Sequence, residues 1–142
     1  MSFPNTIHLQ RVFTAELIQN IVSMEFNISK DTLLGTRRLA QWTWPRHVAM
    51  SLAYQMTGLS TQELATLFNR DNHVSILYAV RRVNAETSTK DTPSRLRLRE
   101  FERIRDLTKI ALGKVCQEND WTTLAKLSRI NSVLGDKKDT ST

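Results

Sequence analysis

The chain has 142 residues, 40% hydrophobic and 24% charged, enough apolar material for one folded core and too little charge for wholesale disorder. With 4 Gly and 3 Pro it lacks the turn punctuation of an all-β sandwich. Its net charge of +6 favours a polyanionic partner, and a single cysteine, Cys116, excludes an internal disulfide.

The charge is unevenly placed. Residues 1–35 carry a net −1, residues 36–90 a net +4 from seven basic and three acidic groups, and residues 91–142 a net +3 from eleven and eight. The middle third is the most one-sided, so a bound polyanion is expected there.

Residues 1–13 show no clear periodicity and read as an N-terminal arm. Thr14 is a plausible N-cap with Glu16 in the first turn, followed by the stripe Leu17, Ile18, Ile21, Val22 and Met24. A short helix from Ser29 or Lys30 carries Leu33 and Leu34 and stops at Gly35, and Thr36-Arg37-Arg38 follows as a basic connection. Pro45 suits the first turn of a third helix with Val48, Leu52 and Met56 along one face, ended by Gly58. Ser60-Thr61-Gln62-Glu63 spells a capping box for a helix of about eight residues, with Leu64, Leu67 and Phe68 apolar. After the turn-forming Asn69-Arg70-Asp71-Asn72, a longer helix from His73 buries Ile76, Leu77, Val80 and Val83. His73, Ser75, Tyr78 and Arg82 lie opposite, with Arg81 near its end. A polar linker over 87–93 leads to a helix with Leu98, Phe101, Ile104, Leu107 and Ala111 inward. A last helix is expected over 120–134, and residues 135–142 read as a disordered tail.

The expected organisation is therefore all-α: a helical bundle at 14–90 and a C-terminal helical extension at 91–134. Within it, residues 60–86 combine a short capped helix, a tight polar turn and a second helix with basic and hydrogen-bonding residues outward. That is the pattern of a helix-turn-helix. An ordinary helical hairpin has the same periodicity, and pattern alone does not separate the two.

A resemblance does. The segments IQNIV at Ile18–Val22, FNIS at Phe26–Ser29, LLGTRR at Leu33–Arg38, PRHVAMSLAYQMT at Pro45–Thr57 and LSTQELATLFNRDNHVSILYAVRRV at Leu59–Val83 run without a gap. Together they resemble the C-terminal DNA-binding domain (domain IV) of the bacterial chromosomal replication initiator DnaA, whose fold is Trp-repressor-like. The resemblance implies that Arg38 enters a minor groove, that Arg46 contacts phosphate, and that Thr57 and Ser60 stand near backbone contacts. It also implies that His73 faces bases in the major groove and that Ser75 lies near phosphate.

The chain departs from the family where bases are read. The family's Gly-Gly-Arg-Asp becomes Asn69-Arg70-Asp71-Asn72, so the base-reading aspartate is Asn72, and the threonine after the histidine is Val74. Asparagine suits adenine N6/N7 where aspartate accepts from cytosine N4. A target other than the standard DnaA box is therefore expected. Tyr54 stands where a lysine is usual, and Trp42 and Trp44 replace small or basic residues. An alignment with one inserted residue pairs Arg70-Asp71 with the family's Arg-Asp, but it puts His73 out of place.

The DNA-binding residues expected are Arg37, Arg38, Arg46, Ser60, Asn72, His73, Val74, Ser75 and Arg82, with double-stranded DNA as partner. Trp42 and Trp44 are expected to pack beneath the basic loop. The interleaved Arg95, Arg97, Arg99, Arg103 and Arg105 with Glu100, Glu102 and Asp106 read as a salt-bridged, solvated helix face.

No enzyme, cofactor or metal is expected. His8, His47 and His73 are scattered, Cys116 has no CxxC partner and reads as a buried small apolar group, and no paired carboxylates form an acid–base frame. The chain has no Gly-x-x-x-x-Gly-Lys-[Ser/Thr] phosphate loop, so it reads as a stand-alone reader without the AAA+ ATPase and without a nucleotide cofactor. The lone cysteine, the absence of a leader at Met1 and the lack of an apolar run near the roughly 18 residues of a membrane span lead us to expect a cytoplasmic, nucleoid-associated protein without membrane contact. The expected function is regulation of transcription or replication initiation. The rival reading is a protein-interaction adaptor of the replication machinery, and a homodimer through the C-terminal helices stands open.

Overall fold

The structure is a computed structural model that describes residues 6–118. The helix expected over 120–134, the tail from 135 and the Cys116 side chain lie outside the described residues. Within them there are six helices and no strand: α1 (Thr6–Glu25), α2 (Lys30–Leu34), α3 (Ala40–Thr57), α4 (Thr61–Leu67), α5 (Val74–Thr87) and α6 (Thr92–Glu118). α3 packs between α1 and α5, and α6 lies against both of those. Ile18, Val22, Leu33, Val48, Leu52, Leu64, Phe68, Ile76, Val83, Phe101 and Ile104 form one buried cluster.

Helix ends with local sequence signals fall where expected. Ser29 caps α2 by accepting from the Thr32 N–H, and Ser60 and Glu63 close the reciprocal box that starts α4. Gly58 takes the left-handed conformation (φ 73°) that ends α3. Two asparagines do the same work: Asn27 (φ 55°) after α1 and Asn69 (φ 57°) after α4. After α4 the Asn69 N–H bonds Thr66 O at 3.1 Å and the Arg70 N–H bonds Ala65 O at 2.7 Å. That pair of bonds is a Schellman stop. Asn69 thus replaces the family's first glycine without losing the turn, because asparagine visits the left-handed region more readily than other non-glycine residues.

Two helix starts differ from expectation. α1 begins at Thr6, not Thr14, so residues 6–13 are helix and not arm. Thr14 is buried inside the helix, where its hydroxyl donates to Gln10 O at 2.9 Å instead of capping. Of the added residues Phe13 buries, together with Leu17, against Ala111 and Leu112 of α6. α3 begins at Ala40, five residues before Pro45. Pro45 therefore forgoes one helical bond, to the carbonyl of exposed Gln41, which water can satisfy.

Packing is continuous across residue 90, since Phe101 and Ile104 join the main cluster. The inward stripe of α6 is also more polar than expected. Ser94 and Thr108 are buried, Leu98 is exposed, and Leu107 and Ala111 are half-buried. On α5, Leu77 and Val80 are half-buried, while Ala79 is fully buried between Ile76 and Val83.

Candidate nucleic-acid interface

The three carbonyls at the end of α2 point at cationic and amide groups from later in the chain. Thr32 O accepts from Arg46 Nη2 at 2.7 Å, and Leu33 O from Arg46 Nε at 3.2 Å and Arg70 Nη2 at 3.3 Å. Leu34 O accepts from Asn69 Nδ2 at 3.1 Å. A helix C-terminus carries unpaired carbonyls and partial negative charge, so arginines fit it on both counts. Arg46 also donates through Nη1 to Arg37 O, inside the basic loop. One guanidinium therefore fixes both the end of α2 and the path of residues 36–39.

A Cβ at Gly35 would stand 3.0 Å from Asp31 O, so the glycine answers to the close α2 backbone, while Arg46 Nη2 at 3.9 Å is in ordinary contact distance. Burial pulls the pKa of Arg46 and Arg70 below that of a free guanidinium, and for Arg70 the neighbouring Arg46 charge adds to the effect. Both guanidinium groups remain cationic at neutral pH.

Above this hub the loop is open. Arg37, Arg38 and Leu39 are exposed. The Arg37 guanidinium lies 6.0 Å from the centre of the half-buried Trp42 ring, and Arg46 stands 5.5 Å from it. Trp42 is thus a floor under the loop, as expected. Trp44 is buried and gives its indole N–H to Glu100 of α6 at 2.9 Å, with Arg97 4.7 Å from its ring centre.

The turn between α4 and α5 is joined to the same end of α2 through Asn69 and Arg70, which sequence reasoning read only as turn formers. At the start of α5, Asn72 Oδ1 accepts the Val74 N–H at 2.8 Å, so the asparagine caps the helix while its Nδ2 donors stay outside that bond. Asn72, His73 and Val74 are all exposed, and Ser75 is half-buried. Ser60 is exposed, and its oxygen accepts the Glu63 N–H at 3.1 Å, beside the Glu63 carboxylate that completes the box.

Two expected site residues are employed elsewhere. Arg46 is 7% exposed, with its guanidinium on three backbone carbonyls, so the structure makes it the support of the basic loop. Arg82 pairs with Glu86 at 2.6 Å, and Glu86 also holds Arg97 of α6. The charged face expected to pair along α6 instead reaches other helices, through Arg97–Glu86 and Arg103–Glu25, alongside the neighbouring pair Arg105–Asp106. No group of three His, Cys, Asp or Glu suited to a metal occurs among the described residues, and no described helix is long and apolar enough to cross a membrane.

A short capped helix, a left-handed turn and a second helix that starts on exposed polar groups define a helix-turn-helix DNA-binding domain. Residues 15–83 match the family described as bacterial DnaA protein helix-turn-helix. Chromosomal replication initiator proteins DnaA from Nitrobacter hamburgensis and Rhodopseudomonas palustris are 42% identical over 77 residues, and one from a Bradyrhizobium species is 40% identical over 77. Each match takes in 54% of this chain and 16% of the relative, so the chain spans about a sixth of the length of these proteins.

Proposed function

We propose that the chain is a sequence-specific double-stranded DNA-binding protein that regulates transcription or replication initiation in the cytoplasm. The start of α5 enters the major groove, where Asn72, His73 and Val74 face base edges. Arg38, with Arg37 beside it, reaches the neighbouring minor groove, and Ser60 and Ser75 hold phosphates. Arg82 can reach the DNA backbone only by giving up Glu86. Arg46 acts one step back, as the strut that holds the arginine loop.

The observation that carries this reading is the α2 hub. Arg46, Arg70 and Asn69 converge on three successive carbonyls, Thr32, Leu33 and Leu34, so loop and turn are referenced to one short piece of backbone. Two DNA-facing elements held in fixed register suit simultaneous occupation of adjacent grooves. Asn72 and Val74 in place of aspartate and threonine redirect base preference, each changed pair by about 1–3 kcal/mol.

Selection of duplexes from a random pool, followed by titration of the winner at several salt concentrations, tests the proposal. The expected result is one enriched sequence, distinct from the standard DnaA box. Its affinity should fall with salt, by a slope of about 0.9 for each phosphate that an arginine such as Arg37 or Arg38 neutralises. No enriched sequence, or an affinity indifferent to salt, contradicts it.

A further inference from the structure

The outward side of α5 does not end at Val74. Ile76, Ala79 and Val83 are buried on one side, and the opposite side carries the exposed residues Val74, Tyr78, Arg81 and Ala85. These are spaced by four, three and four, so they form one stripe along the helix. Tyr78 is 52% exposed, a large ring left half in water beside Val74 at 50%.

An exposed aromatic alone is unremarkable, but this one is fixed. Its ring meets the His47 ring of α3 edge-on, with centroids 5.6 Å apart and planes 75° apart. His47 is itself half-buried, and its Nδ1 is buried without a partner among the described residues. Desolvation, its largest influence, pulls the His47 pKa below its usual value; Glu86 opposes this, and Arg82, Arg70 and Arg46 reinforce it. A neutral imidazole therefore backs the phenol. Among the described residues the hydrogen bonds made by side chains of α5, Arg82 and Arg97 to Glu86 and Thr87 to Val83, leave the Tyr78 hydroxyl out.

From Val74 to Tyr78 the helix advances about 6 Å, and successive bases on a strand are about 3.4 Å apart. With α5 lying along the groove, that rise spans roughly two base steps beyond the position that Val74 faces. It carries an oriented apolar ring and an unused donor, and is flanked by Arg81 and Arg82 on the same helix. Little side-chain freedom remains to be lost when such a group meets a ligand.

We infer that Tyr78 is a further DNA-contacting, specificity-determining residue, which extends the major-groove reading by the ring and hydroxyl it presents beyond Val74. This rests on the α5-in-groove reading above. Residues 72–74 read the start of the site, and Tyr78 reads or clamps the adjoining pairs. Because the contact is neutral, it releases no counterion.

The test uses the full chain and the duplex that the parent protein selects, with Tyr78→Ala, Tyr78→Phe and His73→Ala compared by titration at several salt concentrations and by repeat selection. Tyr78→Ala should bind roughly tenfold more weakly, the size of one lost base contact. Its salt slope should be unchanged, and its preference flattened at one or two pairs beside those set by residues 72–74. Tyr78→Phe keeps the ring and should lose less. If Tyr78→Ala matches the parent in affinity and selected sequence while His73→Ala loses both, the inference is overturned and the groove reading stands. If His73→Ala is also silent, the groove reading falls and takes the inference with it. A loss with a flatter salt slope means that an arginine has moved, and counts against direct contact.

Discussion

Arg46 and Arg70 stand in instructive contrast to Arg37 and Arg38. The first pair turn inward onto the end of α2, where Leu33 O takes a bond from each. The second pair project into solvent from a loop that Arg46 holds through Arg37 O, with Arg37 resting over Trp42. Residue type and proximity in sequence do not separate the two pairs. The carbonyls of Thr32, Leu33 and Leu34 do, because a guanidinium that has found buried acceptors is not free for phosphate. The difference teaches that a basic surface needs an arginine framework under it, and that the framework is as cationic as the surface.

Substitutions at four positions test that division and the site around it. Arg46→Ala should have the largest effect: it strips donors from three carbonyls and opens space under the loop. A loss of about 2–4 kcal/mol is expected in urea melts, with Arg46→Lys recovering only part because an ammonium lacks the planar fork. A melt unchanged from the parent would return Arg46 to the surface group. Asn72→Asp keeps the oxygen that caps the Val74 N–H but replaces the amide donor with an acceptor. Stability should hold, while the selected base pair moves from adenine toward cytosine by about 1–3 kcal/mol of discrimination.

Arg38→Ala should leave the melt within about 0.5 kcal/mol of the parent. It should weaken binding to all duplexes and lower the salt slope by about one; a fall in stability like that of Arg46→Ala would erase the contrast. The smallest effect concerns Glu63. The Ser60 backbone N–H donates to its carboxylate at 3.0 Å and pulls its pKa below the ordinary range. A depressed carboxylate adds stability above its unfolded pKa and loses it as pH falls through the folded one. Acid melts of the parent should therefore soften below the ordinary carboxylate range, and Glu63→Gln should remove part of that pH dependence.

The contrast also shows what a sequence can convey. Ser60 with Glu63, Ser29 before α2 and Gly58 after α3 act within a few residues, so their signals are local and their helix ends fall where the residues say. In the added stretch of α1, Phe13 packs against Ala111 and Leu112, almost a hundred residues away, and no local pattern announces that contact. The inward face of α6 runs through Ser94 and Thr108. The Thr108 hydroxyl satisfies itself on Ile104 O at 2.8 Å, so a search for apolar periodicity passes it over and selects Leu98 instead. In the candidate site, the exposed Asn72-His73-Val74 start of α5 was legible from turn chemistry and resemblance. The burial of Arg46 and the bracing role of Asn69 and Arg70 were not, because their partners are main-chain carbonyls that any sequence would supply.

The most direct measurement is a selection from a random duplex pool with the parent and with Asn72→Ala/His73→Ala side by side. Phosphate contacts position and base contacts specify, so the double variant should still bind duplex in a salt-dependent way, through an intact arginine loop, yet enrich no motif. Enrichment of the parent's motif by the double variant would contradict the account.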